Sequence, residues 1–169
     1  STRERLDPWS RSVLTADGGT PQSMPMPALF ADHAWTLFTP SIPAPGEAEI
    51  TLAREGDQVV VTIPARGARD LRLILTTSVA TTDATVQGLS AEGLLARPDA
   101  INRLRWYAPG QALHIAFKPS GPGAITVGYA ALADGWPAGA RPLPPRPALV
   151  MAVGSSDASV VAGSTTLRW

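Results

Sequence analysis

The chain contains no cysteine, only two histidines and a single lysine, Lys118, among its 169 residues. Without cysteine there are no disulfides, no thiolate metal ligands and no cysteine nucleophile. That lack suits the cytoplasm or a bacterial periplasm and does not choose between them. His33 and His114 alone leave little for a metal centre, which needs three or four converging ligands. A charge surplus is also missing: 14 basic and 14 acidic residues cancel. A neutral chain is poorly matched to a phosphate backbone and has no polybasic attraction to an anionic membrane, so no nucleic-acid partner is expected. No stretch approaches the roughly 18 consecutive apolar residues of a membrane helix. The opening Ser1-Thr-Arg-Glu-Arg5 has neither an initiator Met nor an apolar signal core, so the chain reads as a processed or excised piece. Its basic residues are nearly all Arg, which together with abundant Ala, Gly and Pro points to a GC-rich coding sequence rather than to a recognition surface.

Proline and glycine are plentiful. Seventeen Pro and 15 Gly punctuate a chain that is 44% apolar and 17% charged, which argues against long helices and coiled coils. From Glu47 onward the apolar residues recur with period two. Ile50 and Leu52 alternate with Glu49, Thr51 and Ala53; Arg54–Asp57 supplies a turn, and Gln58–Ile63 returns as a Val-rich strand. Leu71, Leu73 and Leu75 mark the next strand, and Ala84–Leu89 another, on which Gly93–Ala96 is expected to pair back. Asn102–Tyr107 sets Leu104 and Trp106 on one face. Gln111–Phe117 aligns Leu113, Ile115 and Phe117, and Ala124–Ala131 and Ser159–Trp169 complete the series.

Short strands separated by Gly/Pro turns, with no intervening helices of the length a parallel crossover needs, predict an all-β antiparallel β-sandwich, immunoglobulin-like or jelly-roll-like. Residues 1–46 read as an extended Pro-rich N-terminal arm packing on the sandwich, with a short helical turn near Pro8 and one strand at Trp35–Thr39. Residues 47–169 form the sandwich domain, including a Pro-rich, polyproline-like strap at 134–148.

Candidate chemistry is sparse. His33 follows Asp32, but neighbours in an extended segment point to opposite sides, so His33 reads as a loop residue. His114 lies opposite Leu113 and Ile115 and reads as a solvent-side strand residue. Ser155-Ser156-Asp157 lacks a G-x-S-x-G elbow, and Asp157 reads as a turn former. No phosphate-binding glycine motif is present. Trp106 alternates as a core residue would. Trp9, Trp136 and Trp169, in irregular or terminal places, either pin Pro-rich segments to the sandwich or form a stacking surface for sugar or peptide. With Arg141 and Arg146 they are the candidate interaction surface. Leu143–Pro147 reads as a stiff strap, or as a polyproline ligand.

Tyr129–Pro137, Arg141–Pro147 and Ser156–Trp169 together resemble the extreme C-terminus of bacterial multi-pass membrane zinc peptidases of metallopeptidase family twenty-eight, similar to the endoplasmic-reticulum metallopeptidases. The match covers about the last forty residues, and Leu6–Ser10 fits it loosely. The resemblance implies a parent with an upstream dizinc aminopeptidase-like domain and membrane spans, closed by a β-rich domain on the periplasmic face of the inner membrane. It carries over no catalytic, cofactor or metal residue to this chain. It implies a non-catalytic accessory domain whose partners are that peptidase domain, the spans and possible peptide substrate. The rivals are a free-standing carbohydrate- or peptide-binding module and an independent enzyme.

Overall fold

A computed structural model describes residues 8–9, 12, 22–24, 28, 35–37, 49–135, 142, 144–148 and 158–169. Two short strands, β1 (Gln22–Met24) and β2 (Trp35–Leu37), pair antiparallel with each other. The body of the molecule is built by β3 (Thr51–Glu55), β4 (Gln58–Ile63), β5 (Asp70–Thr77), β6 (Thr81–Val86), β7 (Leu89–Ser90), β8 (Asn102–Tyr107), β9 (Leu113–Pro119), β10 (Ala124–Asp134) and β11 (Ala158–Arg168). They form a four-stranded sheet in the order β11-β10-β5-β8 and a five-stranded sheet in the order β3-β4-β9-β6-β7. Every pairing is antiparallel. The expected all-β sandwich is the observed architecture.

Period-two alternation dictates which face each strand buries. Val59, Val61 and Ile63 of β4 and Leu113, Ile115 and Phe117 of β9 point inward from one sheet. Leu71, Leu73 and Leu75 of β5 with Ile125 and Val127 of β10 meet them from the other, and all of these are at most 1% exposed. They form one continuous core, against which Leu104, Trp106, Leu167 and Trp169 pack at its rim. Burying each large side chain stabilises the fold by roughly 1.5–3 kcal/mol.

Two expectations change in detail. The β3–β4 hairpin keeps Arg54 and Glu55 within its strand, so the turn shrinks to Gly56-Asp57, the two-residue connection that suits strand twist. Gly93–Ala96 does not pair back on β6; Leu89–Ser90 does. Residues 91–96 coil instead, because Leu95 plugs the end of the core with no exposed surface and takes a left-handed φ of 60° to do so. Its backbone is held on both sides. Asn102 Oδ1 accepts from its N–H at 3.1 Å, and its C=O accepts from Thr81 Oγ1 at 2.9 Å. Buried Thr81 thus satisfies its hydroxyl while fixing a strained loop.

Close approach explains Gly163. Gly163 of β11 lies directly opposite Tyr129 of β10. A Cβ at Gly163 would stand 2.6 Å from the Tyr129 hydroxyl, so the missing side chain is the space the tyrosine occupies. Arg66 lies over the same ring, 4.6 Å from its centroid.

Candidate functional site

Among the described residues, a dense polar cluster sits on the outer face of the four-stranded sheet. Registers of β8, β5, β10 and β11 lay the outward side chains in rows. Tyr107, Asp70, Leu132 and Val160 form the first row, and Arg105, Arg72, Ala130 and Ala162 the second. The second row sets two arginines directly across from each other, a pairing that is unfavourable by itself. Asp70 resolves it. Arg105 grips the carboxylate with two bonds, Nε to Oδ1 at 2.9 Å and Nη2 to Oδ2 at 2.7 Å. Arg72 donates from Nε to Oδ2 at 3.0 Å, with its Nη2 at 2.9 Å. Arg105 also lies over the Tyr107 ring at 4.3 Å.

Asp70 is 5% exposed. Burial pushes its carboxyl upward, but the hydrogen bonds from Arg105 and Arg72 and their positive charges outweigh this. The group is held below its ordinary value. Arg105 is raised in turn, first through its hydrogen bond to Asp70. A carboxylate that accepts from two guanidiniums and is held ionised is a poor proton acceptor near neutrality. The arrangement joins β5 to β8; it is not built to move a proton.

This face is buried at one end. Ala130 and Leu132 of β10 point away from the core, yet they are 0% and 2% exposed and pack with Ala28. The outer face of the five-stranded sheet is open by contrast. There His114 is exposed on β9, and its Nδ1 lies 3.1 Å from Thr62 Oγ1 on β4. Gln87 caps the same strand, accepting from the His114 N–H at 3.3 Å and donating to the Ala112 C=O at 3.0 Å. Lys118 bridges Asp57 at 3.2 Å and Asp83 at 3.3 Å, and these bonds raise its pKa, the one to Asp57 most.

The residues singled out from the sequence fall into separate places. Trp9 and Arg146 are brought together: the guanidinium lies 4.9 Å from the ring centroid, and the indole N–H donates to the Pro144 C=O at 3.2 Å. Trp169 has other company. It meets Phe117 edge-on at 5.5 Å and donates from Nε1 to the Gly121 C=O at 2.9 Å, while its backbone N–H donates to the Gly123 C=O. A Cβ at Gly123 would come within 2.9 Å of that indole. Trp136, Arg141, Asp32, His33 and Ser155–Asp157 lie outside the described residues. Among the described residues, no group of three or more His, Cys, Asp and Glu is placed to hold a metal ion. No helix among them is long and apolar enough to cross a membrane.

Asp70, Arg72 and Arg105 were not singled out from the sequence. Two signals bear on them: Asp70-x-Arg72 and Arg103-x-Arg105 each put charges on the polar face of a strand. Only the pairing of β5 with β8 brings the two motifs together. No protein-family model, curated protein or solved structure matches this chain.

Proposed function

We propose that this chain is a non-catalytic accessory domain of a membrane-anchored zinc aminopeptidase, placed on the periplasmic face of a bacterial inner membrane. Its role is to cover or orient the catalytic domain or to present peptide substrate. The observation that carries this reading is the use its polar groups are put to. Asp70 is held by two arginines, His114 is matched to Thr62, and Lys118 bridges two aspartates. Each is engaged in joining strands or turns. The segments that carry the family resemblance supply framework as well: Tyr129–Asp134 belongs to β10 and 158–168 is β11. Zinc belongs to the upstream domain in this reading.

A second reading, a free-standing carbohydrate- or peptide-binding module, draws on Tyr107, a residue 63% exposed beside Arg105, whose ring could stack on a ligand. The reading frame that encodes Ser1 tests the first. An in-frame peptidase domain followed by membrane spans upstream is the expected result. A frame that starts near Ser1 would overturn it, and glycan- or peptide-array binding lost in Tyr107→Ala would then favour the module.

A further inference from the structure

Among the described residues the sandwich has four sheet edges, and three of them are protected in the usual ways. β3 carries Arg54 and Glu55, β8 carries Arg103 and Arg105, and β7 is only two residues long. Among the described residues, β11 has only one such device, the charge of Arg168 at its very end. It runs 11 residues without a bulge against β10, and from Ala158 to Leu167 it contains no charge and no proline. Val160, Ala162, Gly163, Ser164, Thr166 and Arg168 are exposed.

The direction of its hydrogen bonds follows from one contact. Trp169 donates to the C=O of Gly123, the residue opposite it. Antiparallel ladders alternate, so the odd-numbered residues of β11 turn their N–H and C=O groups toward β10. Those of Ala158, Val160, Ala162, Ser164, Thr166 and Arg168 point the other way, along the open edge.

We propose that this edge pairs with β11 of a second copy of the chain, extending the four-stranded sheet across a two-fold axis. The charge pattern selects both occupant and direction. The edge asks for an uncharged strand of small and β-branched residues, and β11 is such a strand. Its one charge, Arg168, stands at its end. Parallel pairing would put two Arg168 side by side, whereas antiparallel pairing separates them by about 33 Å. The register that uses all six outward residues centres on Gly163. It sets Val160 opposite Thr166 and Ala162 opposite Ser164 of the second copy. A strand-to-strand joint is small beside the 1,200–2,000 Å² or so of a stable interface, so the dimer forms at high concentration only.

Sedimentation equilibrium of the full chain from micromolar to near-millimolar concentration tests this. The expected mass rises from 17.6 kDa toward its double. Ala162→Lys and Ser164→Pro each alter the open edge without removing a bond to β10, and both are expected to hold the protein at the single mass with unchanged circular dichroism. A synthetic peptide of residues 158–168, added in excess to the unaltered protein, is expected to dissolve the dimer. A single mass throughout overturns the proposal, as does a dimer that persists in either folded variant. Should both variants fail to fold, a dimer that survives the peptide overturns it.

Discussion

The two sheets bury inner faces of the same kind, rows of Val, Ile and Leu that meet in one core, but their outer faces differ. The four-stranded sheet hides Asp70, Ala130 and Leu132 on its far side. The five-stranded sheet leaves His114 exposed and Lys118 part-exposed there. Both faces carry ion pairs, so the contrast isolates what burial does to them. Around Asp70 the carboxylate is withdrawn from water and Arg72 is largely so, while Arg105 reaches it from the exposed end of the row. Around Lys118 water competes for every charge, and such pairs contribute little.

Several substitutions can break or sharpen this contrast. Asp70→Asn should have a large effect, because it removes the one anion between two facing arginines; since Arg105 is part-exposed, loss of about 1.5–3 kcal/mol is expected in urea unfolding at neutral pH. Its counterpart on the open face, Lys118→Met, should leave the unfolding midpoint where it is. Leu132→Ala should cost about 2–5 kcal/mol, as a core truncation does, although Leu132 points away from the main core. If it costs no more than a surface substitution, the face is not truly covered. Gly163→Ala should cost roughly 1–3 kcal/mol by overpacking, since Tyr129 must yield. Tyrosine fluorescence or an aromatic NMR shift at Tyr129 would report the displacement. Thr62→Val should produce a small change, within about 1 kcal/mol, because it removes a single exposed hydrogen bond.

The sandwich was legible in the sequence because its strands are half-buried and obey strict alternation. Leu71, Leu73 and Leu75 could not be read any other way, nor could Leu113, Ile115 and Phe117. Where alternation ends, legibility ends. Leu95 is as deeply buried as any core residue, but it reaches the core from a left-handed turn and has no periodic neighbours. Leu132 is apolar on a polar phase, and its burial depends on packing with Ala28, more than a hundred residues away in sequence. The Asp70 cluster was invisible for a related reason. Each half is an ordinary polar strand face, and only the antiparallel register of β5 with β8, a property of the folded sheet, joins them. Trp169 could be placed near the end of a strand, but its partners Phe117, Gly121 and Gly123 emerge only with strand order.

The Asp70 carboxylate, on the outer face of the four-stranded sheet, holds β5 to β8. The pH dependence of the stability difference between the unaltered chain and Asp70→Asn tests it most directly. Asp70 has a folded pKa below its unfolded value of 3.8. Its contribution is therefore complete above that value and is lost as pH falls through the folded one. Urea unfolding of both proteins should show a difference that is constant from neutral pH to about pH 5 and shrinks progressively in more acid solution. Equal stability of the two proteins at neutral pH, or a difference that persists unchanged into strong acid, would contradict the account.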